Sequence, residues 1–148
     1  MTRLIEAATP ADLPAVHALL DRHRLPLDGV DDHVDSMVLA REGARVVGAA
    51  ALEVYADGAL LRSVAVDPTV QGSGVGQQLT EAALRMAQTR GVDAVFLLTT
   101  TAERFFPRFG FERIDRGDVP ASVQQSVEFR SACPASAIVM RKRFAGPR

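Results

Sequence analysis

The chain has no tryptophan, one tyrosine and one cysteine, and aromatic residues make up only 5% of it. A lone Cys133 excludes an internal disulfide, and its natural reading is a small buried side chain. Three scattered histidines, His17, His23 and His33, lack metal-ligand spacing, and each reads as solvated surface. An excess of one charge sign is missing too. The formal net charge of −1 offers nothing to draw in a nucleic acid or a membrane surface, so neither is expected as a partner. The longest apolar runs, residues 92–98 and 46–52, fall far short of the roughly 18 to 20 residues a membrane helix needs. The start at Met1, Thr2 and Arg3 shows no apolar segment with a cleavage site, and a cytoplasmic location is the expectation.

What is present is ordinary globular material. Apolar residues account for 47% and charged residues for 24%, and 148 residues suit a single domain, 1–148, with a real core. Residues 3–7 read as a strand. Thr9-Pro10 with Asp12 then supplies a helix cap, a proline for the first helical position and a first-turn acid, followed by Leu13, Val16 and Leu20 at helical spacing. Pro26 and Gly29 break the pattern, so residues 24–32 are a loop, with a short polar helix near 32–36. Apolar runs at 37–41, 45–55 and 59–66, separated by Glu42-Gly43 and Asp57-Gly58, predict three antiparallel strands.

A glycine-rich turn follows, then a helix with Val75, Leu79, Ala82, Ala83 and Met86 on one face, ended by Gly91. The continuously apolar run 94–98 suits a strand buried on both faces. Threonines 99–101 cap a short helix through Phe109, which Pro107 distorts. A strand at 111–114, a helix around 120–127 and a last strand near 137–143 complete an α+β order.

Chemistry concentrates in Ser63-Val64-Ala65-Val66-Asp67-Pro68 followed by Gln71-Gly72-Ser73-Gly74-Val75-Gly76 at a helix start. Glycines let consecutive backbone N–H groups approach a diphosphate, and the helix adds its positive dipole end and unpaired N–H groups. A dinucleotide fingerprint would need glycine at Gln77, and a P-loop would need a lysine where Val75 and Gly76 stand.

The segment resembles the signature of the GNAT N-acetyltransferase superfamily: a strand ending V-x-V-x-P, then Q or R-x-x-G-x-G or A. A second block, Ala102-x-x-Phe105-Phe106-x-x-x-Gly110-Phe111, resembles that family's A-x-x-F-Y-x-x-x-G-F element. The resemblance implies a GNAT fold, with a mixed, mostly antiparallel sheet of six or seven strands and helices on both faces. It implies acetyl-CoA as co-substrate, no metal, and an amine acceptor attacking the thioester directly. Val64, Ala65 and Val66 would bond the pantetheine arm, and Gln71, Gly72, Ser73, Gly74, Val75 and Gly76 the diphosphate. Thr99 and Phe106 join these as cofactor contacts. Phe106 stands where many members carry a tyrosine that protonates the departing thiolate. Phenylalanine has no proton to give, but a thiolate with a conjugate acid near pKa ~8.5 leaves readily, and water can supply the proton.

Some group must take a proton from the acceptor ammonium before attack. Counting back from a two-residue Asp57-Gly58 turn sets Glu53 directly across from Arg62 and puts Glu53, Arg62, Val64 and Val66 on one sheet face, provided no bulge intervenes. In that register Glu53 relays the amine proton and Arg62 grips a substrate carboxylate, unless the two form only a cross-strand ion pair. Tyr55 lies two residues along the same face.

Four short segments, Leu25-Pro26-Leu27, Leu60-Leu61-Arg62-Ser63, Leu98-Thr99-Thr100-Thr101 and Cys133-Pro134-Ala135-Ser136-Ala137, resemble arsenic-resistance-associated N-acetyltransferases and short N-acetylglutamate synthases. That resemblance implies an amino-acid-like acceptor, an arsenical or toxic analogue among the options, with Ser136 as a substrate contact. Leu60 and Leu61 replace the acid that such amino-acid acetyltransferases often carry before the equivalent arginine. A homodimer is one open assembly, since dimers are common among such enzymes. Two other functions stay in view: an acyl-CoA-binding sensor that has lost turnover, and a protein N-acetyltransferase.

Overall fold

The computed structural model describes residues 3–132 and 136–144. Among these residues, seven strands form one sheet in the order β1-β2-β3-β4-β5-β7-β6. They are β1 (Arg3–Ala7), β2 (Met37–Glu42), β3 (Arg45–Tyr55), β4 (Gly58–Val66), β5 (Ala94–Thr99), β6 (Glu112–Ile114) and β7 (Ile138–Arg143). All neighbours are antiparallel except β4 and β5, the pair joined by a helical crossover. Among the described residues, no helix is long and apolar enough to cross a membrane.

Two main helices cover opposite faces, α1 (Leu13–Arg22) and α2 (Val75–Thr89). The apolar stripe of α1, Val16, Leu19 and Leu20, packs on Met37, Leu39, Ala49, Ala51 and Ala65. The stripe of α2, Val75, Leu79 and Ala83, packs on Val47, Ala50, Leu52 and Leu61. The run Gly48-Ala49-Ala50-Ala51 in the middle of β3 keeps both faces low, so both helices can approach the sheet. Each fully buried leucine in these layers contributes about 1.5–3 kcal/mol of burial free energy. A short helix, α3 (Ala121–Gln124), brings Val123 onto Leu60, Phe96 and Val139. The helix predicted around 120–127 is therefore cut to one turn, and a π-helical turn over Glu128–Ala132 follows.

Two features of β3 and β4 correct the predicted register. The connecting turn is Ala56-Asp57, with Gly58 already paired to Tyr55, so Glu53 faces Leu60 and Arg62 faces Ala51. A slip of two residues preserves side-chain parity, which leaves Glu53 and Arg62 on one face as diagonal neighbours. Further along, a bulge shifts the pairing between Ala49 and Ala51, and opposite it Ser63 takes φ +60. The extra residue flips the strand. Val64 and Val66 accordingly pack on the α2 side, while Arg62 lies on the other, so the four residues do not share a face.

Candidate active site

The β4–β5 ladder has only two pairs, Ala59 with Val95 and Leu60 with Phe96. Past them the strands line opposite walls of a cleft of about 610 Å³, with Leu61 to Val66 on one side and Leu97 to Thr99 on the other. The loop from β4 to α2 forms its end. Asp67 secures that loop: its carboxylate accepts from the Thr69 N–H at 2.9 Å and the Thr69 hydroxyl at 2.8 Å, and meets Arg45 at 2.8 Å and Arg22 at 3.5 Å. The Thr69 hydrogen bonds, backbone first, hold the Asp67 carboxyl below its ordinary range, with Arg45 and Arg22 adding to them.

Gly72 and Gly74 have φ of +84 and +87, and a Cβ at either would meet nothing within 4 Å. They are therefore required by backbone conformation, since neither is crowded by the protein's own packing. The first backbone bond of α2 runs from the Gln78 N–H to the Gly74 carbonyl at 3.0 Å. Val75, Gly76 and Gln77, which precede it, line the cleft, and their N–H groups are those a helix start leaves for an anion. Arg108 adds a cation on the same cleft, its guanidinium 4.8 Å from the Phe105 ring centre. This end thus offers helix-start N–H groups and a cation to an anion, and the cleft runs on from it between β4 and β5.

At the other end a cluster of ionisable groups sits under the bulge. Arg62, its side chain 0% exposed, donates from Nη1 to Glu53 Oε2 at 2.7 Å and from Nη2 to the Pro26 carbonyl at 3.2 Å. Its Nε lies 3.2 Å from Glu128 Oε2 and 3.1 Å from Ser63 Oγ. The Tyr55 hydroxyl donates to Glu53 Oε1 at 2.5 Å, and His33 Nε2 stands 3.7 Å from Glu53 Oε2. Burial works to raise the Glu53 carboxyl, but hydrogen bonds from Tyr55, Ser126 and Arg62 outweigh it and hold the group below its ordinary range. Burial, then the bond to Glu53, push the Tyr55 phenol up to about 12.

Of the residues expected to hold a cofactor, Val64, Ala65, Val66, Gln71, Gly72, Gly74, Val75, Gly76, Thr99 and Phe106 line the cleft. Ser73 does not; its hydroxyl turns back to the Val70 carbonyl. Glu53 is 1% exposed and lies off the cleft wall, bonded to Arg62 and Tyr55, so it reaches the cleft only through neighbouring groups. Arg62 lines the cleft while engaged by two carboxylates and a carbonyl, which includes the ion pair with Glu53 that the sequence allowed beside a grip on a substrate carboxylate. Ser136 is exposed and away from the cleft lining, and Cys133 lies outside the described residues. His23 is no solvated surface group: its Nδ1 is 2.9 Å from the Leu19 carbonyl and its Nε2 2.8 Å from that of Val66, tying α1 to the end of β4.

Residues 33–113 match the model of the acetyltransferase (GNAT) domain. A curated relative, the amino-acid acetyltransferase of Mycobacterium tuberculosis, is 32% identical over 130 residues, spanning 81% of this chain and 74% of that protein. The chain belongs to the GNAT acetyltransferase family. Its acyl donor is acetyl-CoA. The amino-acid acetyltransferase of Pasteurella multocida is 27% identical over 140 residues, or 85% of this chain, which spans only 31% of that longer protein. Among solved structures, Rv2747 from Mycobacterium tuberculosis in complex with CoA and NLQ superposes with a TM-score of 0.81 at 27% identity, covering 95% of this chain and 99% of that one. The N-acetylglutamate synthase of Neisseria gonorrhoeae, complexed with coenzyme A and N-acetyl-glutamate, shares the fold at TM-score 0.82 and 21% identity, with 97% of this chain aligned to 35% of that one.

Within this acetyltransferase the element that sequence reasoning missed is Glu128. It is 4% exposed, lines the cleft and sits on the π-helical turn, 66 residues from the arginine it meets. No local pattern announces it. A π turn has no sequence period of its own, and residues 120–127 read simply as helix.

Proposed function

We propose that the protein transfers acetyl from acetyl-CoA to the amine of a small, amino-acid-like molecule by direct attack on the thioester. The observation that carries this reading is the cleft itself. A diphosphate cradle of open glycines lies at one end, and polar groups from four chain segments gather at the other, around Arg62. Val64, Ala65 and Val66 offer main-chain groups to the pantetheine arm beside the bulge. The loop from Leu25 and Pro26 closes the acceptor end and is fixed by the Arg62 bond to the Pro26 carbonyl. The amino-acid acetyltransferases among its relatives support an amino-acid-like acceptor.

Phe106 supplies no proton, and the leaving thiolate takes one from water or from the reacting nitrogen. The same residue gives an acyl-CoA sensor without turnover some standing as a second reading. A thiol-release assay decides between them, run with acetyl-CoA against amino acids, arsenical amino-acid analogues, polyamines and peptides. Release stimulated by an α-amino acid is the expected result. Acetyl-CoA binding with no amine raising thiol release above hydrolysis would favour the sensor, and stimulation by peptides alone would favour a protein acetyltransferase.

A further inference from the structure

The two carboxylates that meet Arg62 are not equivalent. Glu53 is enclosed by Tyr55 and Arg62 and contributes nothing to the cleft wall. Glu128 lines the cleft together with Arg62 and Ser63, at the end of the slot where β4 bulges. It opens a π-helical turn over Glu128–Ala132, a rare local form that is frequent at functional sites. Its N–H donates to Ser126 Oγ at 3.2 Å, and Arg62 Nε stands 3.2 Å from its Oε2. Among the described residues, ionisable groups facing this cluster include Arg62 from β4, Glu53 and Tyr55 from β3, and His33 from the segment before β2.

We infer that Glu128 meets the acceptor's ammonium group and takes its proton, with Arg62 as the positioning residue that holds the carboxylate; this rests on the acetyl-transfer reading above. The ammonium nitrogen gives one proton to the Glu128 carboxylate, and its freed lone pair attacks the thioester carbonyl carbon. The C–S bond breaks and coenzyme A leaves as a thiolate. A second proton from the same nitrogen neutralises the thiolate through water, and Glu128 returns the first to solvent in the cleft. Ammonium and thioester thus become amide, thiol and one released proton.

The test is the pH dependence of kcat/KM for Glu128→Gln, with acetyl-CoA binding measured on the same protein. With Glu128 as base, the productive pair is a carboxylate and an ammonium ion, and the rising limb follows the carboxylate. In Glu128→Gln the limb should move up to the acceptor's own ammonium titration, and kcat/KM at neutral pH should fall about 100-fold or more. Hydroxylamine, largely unprotonated at neutral pH, brings no proton to remove and should lose less than about threefold. A Glu128→Gln enzyme that binds acetyl-CoA and keeps the wild-type limb overturns the assignment, as do equal losses for amino acid and hydroxylamine. If Glu128→Gln does not fold, Glu128→Asp keeps a charge against Arg62 and must slow the amino acid more than hydroxylamine; equal slowing again overturns it. A wild-type enzyme that acetylates no amine defeats the acetyl-transfer reading instead, which keeps the two failures apart.

Discussion

The loop between β4 and α2 and the cluster around Arg62 border the same cleft, yet they are made in different ways. The loop offers main-chain groups from consecutive residues, with Asp67 bracing it and Gly72 and Gly74 leaving space outside. The cluster works through side chains drawn from positions 33, 53, 55, 62, 126 and 128, packed so tightly that Arg62 and Glu53 are almost fully enclosed. The loop should therefore tolerate substitution in stability and fail in binding. The cluster should fail in stability first, because removing one member strands the charge of another.

The largest expected effect tests the cluster. Arg62→Ala leaves two nearly buried carboxylates against a cavity and should destabilise the fold by about 3–5 kcal/mol in urea titration. Whatever fraction remains folded should still gain stability from acetyl-CoA. A loss below about 1 kcal/mol would mean that the cluster behaves as a surface pair.

The converse substitution is Gly74→Asp, which puts a side chain and a negative charge where a diphosphate should rest. Wild-type protein should be stabilised by about 2.7 kcal/mol at a hundred times the acetyl-CoA dissociation constant. The variant should lose that stabilisation and stay folded, since nothing lies within 4 Å of the added Cβ and the added strain is only the left-handed backbone conformation. If Arg62→Ala also abolished the acetyl-CoA effect, the two regions would not be separable.

Titration sharpens the contrast further, and its sign differs at the two ends of the pH scale. The Glu53 carboxyl is lowered from its ordinary 4.5 on folding, so its contribution is complete above 4.5 and is lost as pH falls through the lower folded value. The Tyr55 phenol is raised from 10.0 to about 12, so its contribution is complete below 10 and is lost as pH rises through about 12. Glu53→Gln should flatten the acid side of the Tm profile and Tyr55→Phe the alkaline side. Unchanged slopes in both would remove the pair from the stability of the site.

The smallest expected effect is at Phe106, which is 6% exposed and packs edge-on against Phe105 and Phe111, with ring centres at 5.1 and 5.7 Å. Phe106→Tyr should fold and change turnover by less than about tenfold, or about 1.4 kcal/mol of barrier. A larger rise would show that protonation of the thiolate limits the natural enzyme.

The sequence by itself determined the element order, the two apolar helix stripes and the glycine-rich turn ahead of α2. Each rests on neighbours in the chain: a 3.6-residue period in α2, alternating or continuous apolar runs in the strands, and glycines at Gly72 and Gly74 where the backbone must turn left-handed. It also determined that Glu53 and Arg62 share a face, because a slip of two residues leaves strand parity intact. Only the tertiary structure decided which face Val64 joins, since one extra residue at Ser63 inverts everything after it and no local preference marks the position. Only the tertiary structure, too, brought Glu128 to Arg62 and shut Glu53 away from the cleft. Burial and electrostatic pairing across 66 residues of chain are properties of packed elements, and a spacing rule reaches no further than its own strand or helix.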